Sequence, residues 1–171
     1  MRIFFLHAAN LSDFNEMVFQ AYEDQGITLK RSYADNFYIF RDRIGIQGHV
    51  DLCINPELVL EGFLQIGRLK NIKGFDFESM KKIREAVPTI DPKFFLSQAA
   101  GNQFIEILKS QSSLSTILKK MKQLGILKLL IPEFGVIEGQ MQFDMFHIYS
   151  VDEHTFKVVR NMRQMQIGKT D

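Results

Sequence analysis

The residues best suited to chemistry are concentrated between residues 139 and 155. This segment reads GQMQFDMFHIYSVDEHT and holds two histidines, two aspartates, a glutamate and a tyrosine. Imidazole and carboxylate groups can bind a divalent metal or transfer protons. The rest of the sequence has no glycine-rich phosphate loop, no Asp-x-Asp pair that could hold magnesium against a triphosphate, and no His-Asp pair. We therefore expect that nothing in this chain forms a complete catalytic site by itself.

Part of this polar density has a structural explanation in the start of a helix. Ser150 and Glu153 have the spacing of a capping box, in which each side chain accepts from the other residue's backbone amide. Asp152 and Glu153 also fall in the first turn, where the helix dipole favours negative charge. On this pattern alone, His154 is more often a hydrogen-bonded structural histidine than a metal ligand. The helix is expected to bury Val151, Thr155, Val158, Val159 and Met162.

Composition narrows the class of protein. The chain has 171 residues, 46% apolar and 24% charged, which is typical of a folded domain. Its net charge of +1 is spread along the chain, so no basic stripe indicates nucleic-acid binding. Lys119, Lys120 and Lys122 form the densest basic group and are expected to line a solvated helix face.

The single cysteine and the short apolar runs indicate the cellular compartment of the protein. Cys53 has no partner for an intrachain disulfide, which favours a reducing compartment, and its apolar neighbours predict a small buried side chain. No run approaches the roughly 20 apolar residues of a membrane span. These observations predict a cytoplasmic protein that does not contact a membrane.

The periodicity of apolar residues predicts a mainly helical fold. Residues 3–24 have helical spacing, and residues 28–47 instead show short β patterns typical of a hairpin or meander. Helices follow, starting at Asn55-Pro56 and at Asp76, with a further break near Gly101. Ser113 is expected to open another helix that ends at Gly125. Its inward face is expected to be Leu114, Ile117, Leu118, Met121 and Leu124.

Several segments together resemble one enzyme family. The most specific are residues 131–135, 139–142 and 146–155, and weaker likeness extends upstream to residues 15–17, 104–108 and 125–127. They resemble the bifunctional uridylyltransferase/uridylyl-removing enzymes of the nitrogen-regulatory PII protein. The likeness covers essentially the whole chain. Phe143 departs from it, because many relatives carry histidine there.

The resemblance implies a place inside a longer enzyme. In that family a nucleotidyltransferase domain precedes this region, an HD-type metal-dependent hydrolase domain begins near its end, and glutamine-sensing domains come last. The enzymes transfer UMP from UTP to a tyrosine of PII and also hydrolyse that bond. Residues 1–140 would then be a helical, bundle-like connecting domain with the small β insert, and residues 141–171 the start of the HD domain. The isolated chain is expected to be inactive.

The resemblance also changes the interpretation of His154. HD-type sites gather histidines and aspartates around divalent metal, and the first histidine stands early on the first helix, where His154 lies. His154 is therefore a candidate metal ligand, and His147 and Asp144 are candidates to line the same pocket. Magnesium or another divalent metal is expected in the full-length enzyme, with no tight binding to this chain alone.

Two alternative classes stay open. One is part of a different HD-type phosphohydrolase that acts on a free nucleotide, which a nucleotidyltransferase signature upstream would exclude. The other is a non-enzymatic helical interaction module, for which binding to PII or to a separate HD-type protein would be the informative observation.

Overall fold

The structure, a computed structural model, describes residues 29–110, 114–140 and 150–167, together with ten residues between Ile3 and Phe19. Those ten are helical, in agreement with the prediction, and the side chains of Leu11, Phe14 and Val18 are exposed. In the described residues after them, the elements are β1 (Arg31–Ala34), β2 (Phe37–Phe40), β3 (Arg43–Ile46), α1 (Glu57–Arg68), β4 (Gly74–Phe75), α2 (Phe77–Ala86), a 3-10 turn (Val87–Thr89), α3 (Pro92–Phe95), α4 (Gln98–Leu108), α5 (Leu114–Gln123), α6 (Leu127–Leu130), α7 (Pro132–Ile137) and α8 (Val151–Ile167). The predicted class, mainly α with a small β meander, is confirmed.

The four strands form one sheet in the order β1-β2-β3-β4. The first three are an antiparallel meander, with two-residue turns at Asp35-Asn36 and Arg41-Asp42. Strand β4 runs parallel to β3, and α1 makes the connection between them. A strand of two residues is too short to give a sequence pattern, so only the meander was predictable.

Helix α1 packs closely on this sheet. The ring of Phe63 meets the ring of Phe75 edge to face, with centroids 5.0 Å apart. A methyl group on Gly62 would lie 2.6 Å from the same Phe75 ring, so the absence of a side chain permits the close approach. Phe63 is fully buried. The helix starts at Glu57, one residue later than predicted, with Pro56 at the cap position, and the Asn55 side-chain amide donates back to the Asp51 carbonyl instead of capping the helix.

A polar network joins α2 to the sheet. Asp76 caps α2 as predicted, because its carboxylate accepts from the Ser79 amide at 2.9 Å. The Ser79 hydroxyl in turn accepts from the Ile46 amide of β3 at 2.7 Å. The buried Tyr38 hydroxyl donates to the other oxygen of Asp76, and Lys30 lies 4.6 Å from the centre of the Tyr38 ring. A buried carboxylate thus connects a helix start to two strands.

Helices α3–α7, which we call the helical body, follow the sheet in the sequence. Within it, the inward face of α5 is the predicted one. Gly125 ends that region with φ of +74°, a backbone conformation that glycine favours. The break before α4 lies at Leu96 and Ser97, where Ser97 caps the helix, and Gly101 is inside α4, so the predicted break at Gly101 is misplaced. Ser113 lies outside the described residues. The predicted inward residues Leu114, Ile117, Leu118, Met121 and Leu124 are all buried.

The predicted burial of Cys53 is wrong. Its side chain is exposed, and its Sγ lies 3.1 Å from the Thr89 hydroxyl oxygen. The reason is the turn after Val50, in which Leu52 takes the core position and the next residue faces outward. In the described part of the chain, no helix is long and apolar enough to cross a membrane.

Substitution of Gly45 should destabilise the sheet. A methyl group there would lie 2.1 Å from the Tyr38 ring, so Gly45→Ala must displace the ring that binds Asp76. We expect a loss of about 1–3 kcal/mol in the free energy of unfolding, typical of overpacking. Gly48→Ala is the matched control, since nothing lies within 4 Å of the added atom. Denaturant unfolding of both variants measures the difference, and equal midpoints would contradict this packing.

The stability that the Tyr38 network contributes should be lost at alkaline pH. Burial and then the hydrogen bond to Asp76 raise the pKa of Tyr38 from 10.0 to about 12. Because the folded state has the higher pKa, the contribution is complete below pH 10 and is lost as pH rises towards 12. Tyr38→Phe should therefore be less stable than the wild type at pH 8, and the gap should shrink above pH 10. Urea unfolding across this range tests it, and a gap independent of pH would refute it.

Candidate functional site

Helix α8 begins where the sequence predicts. Its first residue is Val151, whose amide donates to the Gln140 carbonyl at 2.9 Å, and the His154 amide donates to the Ser150 carbonyl at 2.9 Å. The preceding described segment ends in a tight turn, with Gly139 at φ of +67°. The capping box of Ser150 with Glu153 stays a prediction, although the helix start that it requires is present.

The buried face of α8 differs from the predicted one. Asp152 is 0% exposed and Phe156 is 2% exposed, whereas Val158 and Met162 are 41% and 65% exposed. The expectation that Val158 and Met162 are buried is wrong. On the observed buried face, the ring of Phe156 packs against the buried ring of Phe134 in α7, with centroids 5.6 Å apart. A buried charge beside an aromatic ring therefore replaces the expected aliphatic stripe.

Asp152 is satisfied by partners from three directions. Its carboxylate forms an ion pair with Lys122 of α5, accepts from the Gly139 amide at 3.2 Å, and is hydrogen-bonded by the Ser150 hydroxyl. Burial alone raises the pKa of Asp152, but the hydrogen bonds and the charge of Lys122 outweigh burial and hold the pKa below its ordinary value. The carboxylate is therefore kept charged inside the protein.

The lysines of α5 are not one solvated face. The side chain of Lys122 is only 16% exposed and lies 6.0 Å from the centre of the Phe156 ring. Lys119 is half exposed and pairs with Glu153 at 3.1 Å, and Lys122 also approaches Glu153 at 3.8 Å. The prediction of a solvated lysine group is thus wrong for Lys122. We call Lys122, Asp152 and Phe156 the α8 anchor.

A second contact holds the other end of α8. The guanidinium of Arg163 donates to the carbonyls of Lys109 and Ser110, at 3.0 and 2.6 Å. These two carbonyls follow α4, so Arg163 satisfies acceptors at a helix C-terminus. Asp152 and Arg163 are eleven positions apart in the sequence, which in a helix returns to nearly the same face, at about 100° per residue. One stripe of α8 is therefore fixed to the helical body at both ends.

His154 lies on the opposite face of α8. At about 100° per residue it is turned roughly 200° from Asp152 around the helix, and its side chain is exposed. Val158 and Met165 fall within about 40° of the same direction, and they are 41% and 69% exposed. The structure thus leaves His154 and the exposed Val158, Asn161 and Met165 on the face turned away from the helical body.

The described residues do not form a metal site by themselves. Within residues 29–110, 114–140, 150–167 and the ten near the start, no group of three histidine, cysteine, aspartate or glutamate side chains could hold an ion. The side chain of His154 is exposed, whereas that of Asp152 is buried and paired with Lys122. The candidates Asp144 and His147 lie outside the described residues.

Two clefts elsewhere in the described residues are lined by neither His154 nor Asp152. One of about 550 Å³ lies between the end of α2 and α5–α6, and Arg84 and Lys128 contribute its charged side chains. The other, of about 320 Å³, is lined by the Lys30–Glu78 pair, Tyr38 and Lys82. Neither is lined by a residue of α8.

Sequence reasoning missed Lys122, Asp152 and Arg163 as contact residues. A signal was present: Asp152, Phe156, Val159 and Arg163 recur at intervals of four, three and four, which is one helical face. Lys122 likewise follows the buried Leu118 by four positions. Charged residues at such positions are discounted as solvent-exposed unless a partner is known. The partners are distant in sequence: Lys122 and Asp152 lie 30 positions apart, and Arg163 lies 54 and 53 positions from Lys109 and Ser110.

Comparison with known proteins identifies relatives over almost the whole chain. The bifunctional uridylyltransferase/uridylyl-removing enzyme of Acinetobacter baylyi is 30% identical over 97% of this chain, which is 20% of that protein. The protein of the same name from Azotobacter vinelandii is 30% identical over 96% of the chain and 19% of its own length. The one from Pseudomonas entomophila is 38% identical over 65% of the chain and 12% of its length.

The chain thus spans about one fifth of the length of the first two relatives. No solved structure matches it. The sequence model described as "Uridylyltransferase GlnD third domain" matches residues 37–129, from β2 through α6, which is more than half of the chain. The chain therefore belongs to the uridylyltransferase GlnD third-domain family.

Proposed function

We propose that this chain is the connecting region of a bifunctional enzyme that transfers UMP from UTP to a tyrosine of the PII signalling protein and hydrolytically removes it in response to glutamine. Residues 1–140 form the connecting domain, and residues 141–171 begin an HD-type hydrolase domain. The relatives support the enzyme class, since they match nearly all of this chain in one fifth of their length. The complete activities, and the UTP and glutamine sites, belong to the rest of such a protein.

The observation that carries this proposal is that α8 has two different faces. One face is fixed to the helical body through Asp152, Phe156 and Arg163. The other carries His154 beside the exposed Val158 and Met165. A surface helix normally turns one apolar face to its own core and polar residues to water. Exposed apolar side chains around a histidine instead support a helix shared with another domain, whose interior would cover His154.

His154 is proposed as one ligand of a divalent metal in that second domain. Asp144 and His147 precede α8 and are proposed to line the same pocket. The remaining ligands would come from outside the described residues, because the described ones form no three-ligand group. Magnesium or another divalent ion would supply activation of a water molecule for hydrolysis of the UMP–tyrosine bond.

The proposed setting is the bacterial cytoplasm. The near-neutral charge of +1 gives no support for nucleic-acid binding by this chain, since phosphate-binding surfaces are strongly basic. PII is the proposed macromolecular partner on the strength of the relatives' enzyme class, and no membrane is involved in the proposed reactions.

The isolated 171-residue chain should have neither activity. Incubated with labelled UTP, magnesium and PII, it should transfer no label above the blank without protein, and with UMP-modified PII it should release none. The reason is that it holds one candidate metal ligand and no nucleotide-binding motif among its described residues. Turnover above the blank in either assay would contradict the proposed domain assignment.

In the full-length protein that carries this segment, His154→Ala should abolish removal of UMP from PII and leave transfer intact. The two reactions would use separate domains, and His154 would serve only the hydrolase. Both rates are measured on the same preparation. His49→Ala is the matched control, because His49 is also exposed but lies in the turn before Val50. Removal at the wild-type rate in His154→Ala would make His154 a structural residue only.

A further inference from the structure

The first turn of α8 is held by contacts of unequal strength. Asp152 is fully buried and pairs with Lys122, while Glu153 and Lys119 pair where both side chains are partly exposed. Exposed pairs contribute little, because water screens them and their side chains lose freedom. A buried charge, in contrast, becomes strongly unfavourable when its partner is removed. The position of this turn therefore depends on Lys122 far more than on Lys119.

Lys122 itself has a fixed place. It lies on α5, one position after the fully buried Met121, and its ammonium group is enclosed by Asp152, Glu153 and the ring of Phe156. Helix α5 belongs to the region that matches the third-domain family, whereas α8 lies beyond residue 129. The ion pair thus joins that region to the helix that carries His154.

We propose that Lys122 is a positioning residue for the chemistry of His154. It acts through Asp152, two residues before His154 on the same turn, and fixes both the depth and the rotation of that turn on α5. This inference rests on the proposed hydrolase function. It means that removal of UMP, but not its transfer, depends on a side chain of the connecting domain that touches no substrate.

The chain itself allows a test that needs no activity. Amide hydrogen exchange of residues 150–156 is compared in the wild type, Lys122→Met and Lys119→Met. Lys122→Met should speed exchange there by roughly tenfold or more, because the buried carboxylate loses its partner. Lys119→Met, the same change on the same helix at an exposed pair, should alter exchange by less than about twofold. Equal exchange in both variants would overturn the proposal.

The full-length protein tests the functional step. Lys122→Met should lower kcat for removal of UMP by roughly tenfold or more, as loss of supporting contacts to a site typically does, with KM for modified PII and the rate of transfer within about twofold. Lys122→Arg, which keeps the charge, should recover most of the rate. A general loss of folding would instead reduce both activities together, and that result would count against a positioning role.

A double variant separates the loss of positioning from the destabilising effect of a buried charge without a partner. Lys122→Met with Asp152→Asn removes both charges, so no buried charge is left alone, and it should fold yet still remove UMP slowly. If it removes UMP at the wild-type rate while His154→Ala does not, the proposed function stands and the positioning role is refuted. If His154→Ala removes UMP normally, the proposed function fails and this inference fails with it.

Discussion

One buried ion pair determines how the last helix sits on the rest of the protein. Asp152 has no exposed surface, and its charge is tolerable only because Lys122, Gly139 and Ser150 surround it. An apolar contact such as that of Phe156 permits small slips and rotations, whereas a buried charge accepts one arrangement of donors. The rotation of α8, and hence the direction in which His154 faces, follows from this pair.

The same principle recurs at the sheet. Asp76 is another buried carboxylate at a helix start, and it gathers the Ser79 amide and the Tyr38 hydroxyl. In both places an aspartate at the start of a helix is directed into the protein instead of towards water. The helices are thereby fixed at their N-terminal ends, where unpaired amides and the helix dipole already favour negative charge.

Local patterns predicted the elements better than their orientation. The meander, the Asp76 cap, the inward face of α5 and the start of α8 could each be read from neighbouring residues. The burial of Lys122 was missed despite its spacing from Leu118, because its partner Asp152 lies 30 positions away and hydrophobic periodicity assigns charged residues to solvent. The predicted burial of Val158 and Met162 was wrong for a related reason. Apolar spacing indicates that a helix has an apolar face, but it does not indicate which neighbouring element covers that face. The proposal of His154 as a metal ligand came only from family likeness, since a lone histidine carries no specific signal.

The enclosure of Asp152 also limits how the sequence can drift over evolutionary time. Loss of either Lys122 or Asp152 alone leaves the other charge buried without compensation, so a lineage that changes one position first passes through a poorly folded intermediate. Positions 122 and 152 should therefore be retained together or exchanged together among related proteins, appearing as a covarying pair. Lys119 and Glu153, which meet in partly exposed surroundings, are free to diverge independently.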